Sequence, residues 1–250
     1  ELSERLATLG KVASGIAHEI NNPLSIILNR IECMEADAAQ SHVPEEVTRD
    51  LITIRSQAER ISRVTRSILT LSRGTVSMLK PLDLNCVART CVTMAGERVA
   101  ALSVRIDAEL APELPPVMGD RDRLETVLLN VLNNAIDAVT ACGDHGVVTV
   151  RTAWMQLNGD EWVRVSVSDN GPGVPAAIVD RIFDPFFTTK PAGQGTGLGL
   201  FLSYGIVSDH RGRIEVRNDA VGAVFDVYLP AVGLGERVHE GVPWGLQERS

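Results

Sequence analysis

His18 has the surroundings of a nucleophilic side chain. At about 100° per helical residue, it lies about 200° from both Ile16 and Ile20 and points away from their apolar stripe. Glu19 is adjacent, and Asn22 follows one turn later on the same face as His18. A neutral imidazole is a competent nucleophile near neutral pH, and a neighbouring carboxylate stabilises the cation formed as it attacks. On position alone, His18 also fits an ordinary residue on a helix surface.

A second group of residues has the spacing of a binding site. Asn130 and Asn134 are four residues apart, which places them on one face of a predicted helix. Asp169 ends a β-branched run and leads into a turn containing Gly171 and Gly173, where the backbone can be approached closely. Taken singly, these features also fit surface asparagines and an ordinary connection from strand to loop.

A glycine-rich segment, GQGTGLGL, precedes an apolar helix. Because glycines stand at Gly195, Gly197 and Gly199, backbone amides and a helix N-terminus can face phosphate oxygens. A flexible linker before a core helix is the alternative. It does not explain why Thr196 and Leu198 interleave the glycines so regularly.

Two apolar seams with heptad spacing must position His18. One runs through residues 2–34 and the other through residues 47–71, with steps of three and four. Residues 37–43 form a connection short enough for an antiparallel hairpin. One hairpin cannot bury both seams well, whereas two hairpins can do so as a four-helix bundle. The sequence therefore predicts an all-α helical hairpin and a homodimer through residues 1–75.

The chain after Pro81 mixes helices with short β-branched runs, which predicts an α+β sandwich with helices on one face of a mixed sheet. Periodicity fades after residue 230, and residues 231–250 are interpreted as a tail or linker. Strands are predicted at 104–107, 147–154, 162–169, 213–217 and 224–229, with an Asn158-Gly159 turn, and helices at 84–101, 120–139 and 199–210.

Composition excludes several classes of function. A net charge of −8 disfavours a nucleic-acid partner. No apolar stretch approaches the ~20 residues of a spanning helix, so we expect a soluble cytoplasmic segment. Membrane contact would need an upstream segment outside this sequence. The 4 cysteines lack a CxxC pair, which favours reduced thiols over disulfides or a zinc site.

The segment LGKVASGIAHEINNPL resembles the phospho-acceptor box of sensor histidine kinases. The resemblance implies that His18 attacks the γ-phosphate of ATP, that Glu19 orients or deprotonates the imidazole, and that the phosphoryl group then passes to an aspartate of a response-regulator receiver domain. Glu19-x-x-Asn22 resembles the phosphatase motif of this class, in which Asn22 would hold a water. Capping of the carbonyl freed by Pro23 is an equal alternative.

Four further segments resemble those of the GHKL ATPases and follow the same order along the chain. They contain Asn134, Asp169, Lys190 and Gly197. Residues 80–230 are therefore identified as an ATP-binding catalytic domain of this type. The resemblance implies ATP and magnesium as cofactors. It makes Asn134 the magnesium ligand, Asn130 its neighbour near the phosphates and Asp169 the acceptor of the adenine amino proton. An amide oxygen suits an ion that keeps waters and phosphate oxygens as its other ligands.

One position of the nucleotide-binding motif departs from the pattern of some kinase subfamilies. Some kinase subfamilies carry a basic residue three positions after the metal-binding asparagine, where this chain has Asp137. Either Asp137 turns outward, or the phosphate charge is met by Lys190, magnesium and backbone amides. Lys190 is therefore assigned to phosphate. It follows three aromatic residues that we expect to pack the base of a short lid, Phe183, Phe186 and Phe187.

Two other classes of function compete with a kinase. A regulatory scaffold would bind ATP without using it, and the presence of His18, Glu19 and Asn134 weighs against this. A GHKL machine that hydrolyses ATP to drive a conformational cycle would need a water-activating glutamate four residues before Asn134. That position is Asn130, so transfer to histidine is preferred.

Overall fold

Two helices form the first part of the molecule. The computed structural model describes residues 20, 23–36, 44–72, 79–100, 102–143, 145–157, 159–191 and 195–232. Helix α1 covers residues 23–36, and helix α2, Glu45–Ser72, begins directly after Pro44. Arg55 of α2 forms ion pairs with Glu32 and Glu35 of α1. None of the described helices is long and apolar enough to cross a membrane.

Each of these helices buries only part of its predicted seam. Leu24 and Ile31 of α1 are buried, as are Leu51 and Ala58 of α2, and each pair is spaced by one heptad. Six other positions of the two seams are exposed: Ile20, Ile27, Met34, Val47, Ile54 and Ile61. The hairpin therefore carries an exposed apolar stripe that also has heptad spacing.

The second part is the predicted α+β sandwich, in which α3, α4 and α5 pack on a five-stranded sheet of order β2-β4-β5-β7-β6. Strand β2 is parallel to β4, and the other pairs are antiparallel. The elements are β1 Lys80–Leu82, α3 Leu84–Val99, β2 Val104–Glu109, β3 Val117–Gly119, α4 Arg121–Ala141, β4 Gly146–Leu157, β5 Asp160–Asp169, α5 Gly199–Asp209, β6 Arg213–Asn218 and β7 Ala223–Pro230.

The predicted strands and helices are confirmed, with small shifts at their ends. Leu157 pairs with Asp160 on either side of the predicted turn, in which Gly159 is described and Asn158 lies outside the described residues. Strands β1 and β3, which pair with each other, were not predicted. Three residues are too few for an alternating pattern to be recognised.

His210 joins the end of α5 to the start of α4. Its ring is buried, with Nδ1 2.7 Å from the carbonyl oxygen of Ile206. Nε2 accepts a hydrogen bond of 3.0 Å from the amide of Asp120, the N-cap of α4. A neutral ring with its proton on Nδ1 satisfies both contacts. Burial lowers the pKa of His210 below the ordinary value of 6.5.

We predict that His210 makes folding sensitive to mild acid. The His210 ring takes up a proton at a higher pH in the unfolded chain than in the folded chain. The buried neutral ring therefore contributes its full stabilisation above pH 6.5, and this contribution is lost as the pH falls through the folded pKa. Chemical denaturation should show the free energy of unfolding decreasing as the pH falls below 6.5.

His210→Asn should be less stable than wild type at pH 7.5 by about 1–3 kcal/mol and should show a weaker decline with acid. His145→Asn changes an exposed histidine with φ of 72°, a conformation that asparagine tolerates, and is the matched control. Parallel pH profiles for wild type and His210→Asn would contradict the prediction.

Candidate functional site

A buried carboxylate lies at the end of β5. The side chain belongs to Asp169, which is 6% exposed, and its Oδ1 accepts hydrogen bonds from the amides of Gly171 at 2.9 Å and Ala223 at 3.3 Å. Burial raises the pKa of Asp169, although the two amides oppose this shift. Within the described residues no group donates to Oδ2, which leaves this oxygen available to a ligand.

The glycine turn after Asp169 is shaped by close contacts. A Cβ on Gly171 would lie 2.9 Å from Asp169 Oδ1 and 3.2 Å from Ala138 Cβ of α4. Gly173 has a φ of 72°, and its Cβ would lie 2.8 Å from Asn218 Oδ1. A side chain at either position would therefore displace the carboxylate or the turn.

Two asparagines that were not predicted from the sequence hold this turn in place. Asn218 binds both backbone groups of Val174, accepting from its amide and donating to its carbonyl at 2.8 Å each. Asn170 accepts from the amide of Val147 at 2.7 Å and donates to the carbonyl of His145 at 3.0 Å. Each side-chain amide thus replaces a pair of backbone hydrogen bonds.

Asn130 and Asn134 of α4 contact segments from the far side of the site. Asn130 Nδ2 donates to the carbonyl of Gly199 at 3.1 Å and lies 3.3 Å from Ser203 Oγ. Asn134 Oδ1 accepts from Lys190 Nζ at 3.1 Å. Ala138, which touches the glycine turn, lies one further turn along α4. One face of α4 therefore connects the buried carboxylate to the start of α5.

The glycine-rich segment is held against the residues that precede it. Gly197 has a φ of 65°, and a Cβ there would lie 2.3 Å from the carbonyl carbon of Phe186. The amide of Phe186 donates to the carbonyl of Gly197 at 2.9 Å. Thr196 Oγ1 accepts from the amide of Leu198 at 3.4 Å, and the Leu198 side chain is buried. A Cβ on Gly195 would lie 2.3 Å from Thr188 Oγ1.

Among the described residues, no side chain caps the N-terminus of helix α5. Gly199 is its first residue, and Leu198 at the N-cap provides no side-chain hydrogen bond. The amides of the first turn of a helix have no partner within that helix, so they can bind an anion.

The aromatic residues of this region only partly match expectation. Phe183 and Phe187 pack against the core, but Phe186 is 59% exposed, so the expectation that it packs was wrong. The φ of Phe186 is 66°. This left-handed backbone turns the ring outward while the amide binds Gly197.

Asp137 lies between two cations and does not point freely outward. Its Oδ1 accepts from Arg98 of α3 and its Oδ2 accepts from Lys190 Nζ. Arg98 also donates to Asn133 Oδ1. Lys190 therefore contacts α4 at both Asn134 and Asp137, a pairing that the sequence did not predict.

Of the residues singled out in the sequence, the structure groups those of the second domain along α4. Asp169, Gly171 and Gly173 lie at one end, and Asn130, Asn134 and Lys190 lie with the glycine-rich segment at the other. His18, Glu19 and Asn22 lie outside the described residues.

Comparison with known proteins identifies this arrangement. A family model described as "Histidine kinase-, DNA gyrase B-, and HSP90-like ATPase" matches residues 119–233, and one described as "His Kinase A (phospho-acceptor) domain" matches residues 8–76. The solved catalytic domain of the histidine kinase ThkA is 33% identical, with a TM-score of 0.53, over 61% of this chain and 97% of that domain. The chain belongs to the sensor histidine kinase family.

Longer relatives match both parts of this kinase. AtoS of Escherichia coli K12, a signal transduction histidine-protein kinase, is 35% identical over 91% of this chain and 36% of its own length. A structure of ThkA in complex with the response regulator TrrA is 31% identical, with a TM-score of 0.64, over 93% of this chain and 64% of that chain. The chain spans less than half the length of the curated relatives it matches.

We predict that Gly197 is essential to the glycine-rich segment. Gly197→Ala should weaken ADP binding by roughly tenfold or more, about 1.4 kcal/mol, because the new Cβ would overlap the backbone of Phe186. Calorimetry with ADP measures this change.

Gly159→Ala is a matched control, since Gly159 has a φ of 93° and nothing lies within 4 Å of its virtual Cβ. This variant carries the backbone strain without the overlap, so we expect ADP to bind it as it binds wild type. Equal affinities of all three proteins would show that the close approach at Phe186 does not matter.

Proposed function

We propose that this kinase binds ATP with magnesium along α4, phosphorylates His18, and passes the phosphoryl group to an aspartate of a response-regulator receiver domain. The observation that carries the proposal is the continuous face of α4. It joins a buried carboxylate acceptor at Asp169 to amide donors at the start of α5. These two ends have the chemistry that an adenine and a triphosphate require.

The carboxylate end suits an adenine. Asp169 Oδ1 is engaged by two backbone amides, so the carboxylate is held in one orientation with Oδ2 available to the exocyclic amino group. Gly171 leaves space beside this oxygen because it has no side chain. A buried acceptor that lacks a protein donor is stabilised by a ligand that supplies one.

The opposite end suits phosphates and a metal. Glycine amides and the first turn of α5 can donate to phosphate oxygens. Asn134 would hold the magnesium ion, which supplies neutralisation of phosphate charge when bound. Asn130 donates its amide to the Gly199 carbonyl and has no basic group. It cannot activate a water, which favours transfer to a side chain over hydrolysis.

In the transfer step, the His18 ring nitrogen attacks the γ-phosphorus as the bond to the β–γ bridging oxygen breaks. Glu19 stabilises the imidazolium that forms and takes up its proton. The solved complex of ThkA with the response regulator TrrA supports a receiver domain as the next acceptor. Asn22 belongs to this proposal as the residue that orients a water for dephosphorylation of the receiver.

The labelled residue can be identified directly. Incubation with γ-labelled ATP and magnesium should label wild type, and the label should be lost in acid and survive base, as phosphohistidine requires. His18→Gln should abolish labelling without changing ADP affinity, because His18 lies outside the nucleotide domain.

His42→Gln removes another histidine of residues 1–75 and should be labelled as wild type is. Asp169→Asn should lose both ADP binding and label. Substantial label on His18→Gln would overturn the assignment of the acceptor.

The exposed stripe of the hairpin supports a homodimer. Ile27 and Ile54 are both about half exposed in one chain although they occupy heptad positions. A second hairpin would cover them and complete a four-helix bundle. Dimerisation is also what a phospho-acceptor domain of this type implies.

We predict that Ile54→Asp dissociates the dimer. An unpaired carboxylate buried in the bundle would cost about 3 kcal/mol or more. Sedimentation at micromolar concentration measures the effect. Ile52→Asp is the matched control, because Ile52 has similar exposure and lies about 200° around α2 from Ile54. A dimer that withstands Ile54→Asp would refute the bundle.

A further inference from the structure

Two oxygens of α4 converge on a single cation. Asn134 Oδ1 lies 3.1 Å from Lys190 Nζ, and Asp137 Oδ2 lies 2.5 Å from the same nitrogen. The two residues are three positions apart, so their side chains leave the same side of the helix. The ammonium therefore marks a point that an amide oxygen and a carboxylate oxygen approach together.

The chemistry of this pair suits magnesium better than lysine. Carboxylate and amide oxygens are the protein ligands that magnesium takes when waters and phosphates complete its shell. We propose, building on the function proposed above, that Asn134 and Asp137 together bind the magnesium ion of MgATP. The Lys190 ammonium occupies this position until the nucleotide arrives.

The orientation of Asp137 supports this role. Its other oxygen, Oδ1, is bound by Arg98, which is itself held by Asn133 Oδ1. Arg98 thereby fixes the carboxylate with Oδ2 directed towards the Lys190 ammonium, which Asn134 Oδ1 also contacts. A residue that binds the atom of a metal ligand not used for coordination orients the other atom towards the metal. Arg98 is a positioning residue in this arrangement.

Lys190 can leave without disrupting the fold. The Lys190 and Asp137 side chains are each 31% exposed, and ion pairs at such positions are weak. A divalent ion is attracted to the same two oxygens more strongly than an ammonium is. Lys190 lies next to the glycine-rich segment, so the released ammonium can move to phosphate. The dication between Asp137 and the triphosphate removes the repulsion that an acid would otherwise cause there.

The test is the metal affinity of the ADP complex, measured with Mn²⁺ in place of Mg²⁺ by electron paramagnetic resonance of the free ion. Asp137→Asn should weaken Mn²⁺ binding by roughly tenfold or more. Its affinity for ADP in EDTA should be unchanged or higher, because a negative charge near the phosphates is removed. Glu97→Gln removes an exposed acid next to Arg98 and should leave Mn²⁺ affinity as in wild type.

A second variant tests the exchange itself. Lys190→Met removes the competing cation, so without nucleotide it should bind Mn²⁺ more tightly than wild type does. Unchanged Mn²⁺ affinity in Asp137→Asn, or no gain in Lys190→Met, would overturn the proposal while leaving Asn134 as a ligand. If Asn134→Ala also leaves Mn²⁺ affinity unchanged, the metal assignment of the proposed function fails together with this one.

Discussion

The proposed nucleotide site depends on the burial of one side of helix α4. Val131, Ala135 and Ile136 are almost inaccessible to solvent within the core. Because a helix is rigid, fixing this side also fixes the direction of Asn130 and Asn134 on the other. Rotating α4 by one residue would place amides in the core, at about 1–3 kcal/mol for each one left without a partner. The packing of the apolar side of α4 thus sets the direction of its asparagine side chains, although these asparagines are not part of the core.

Local patterns made much of this arrangement predictable. Each predicted feature lies within a short stretch of sequence: the spacing of Asn130 and Asn134, the strand that ends at Asp169, and the glycines after it. Contacts between distant segments could not be predicted: Arg98 is 39 residues from Asp137, and Asn218 is 44 residues from Val174. A hydrogen bond between two such distant residues leaves no period in a single sequence.

The helical hairpin shows a different limit. Leu51 and Ile54 are both apolar, and both satisfy the heptad pattern, yet only Leu51 is buried within the chain. Which of the two faces α1 depends on the side to which the connection at residues 37–43 directs the chain. Periodicity predicts that the residues of a seam will be covered. It does not predict which of them pack within one chain and which pack against a second chain.

The buried position of Asp169 has a consequence for how this family can change over time. The raised pKa means that burial makes the charged form of the Asp169 carboxyl less favourable in the folded domain than in the unfolded chain, which lowers the stability of the fold. An amide at this position could still accept from Gly171 and Ala223 through its oxygen, without a buried charge. Loss of the proposed nucleotide recognition through Asp169 is therefore not opposed by selection for folding. A descendant that keeps the architecture and signals only through its surfaces lies one substitution away.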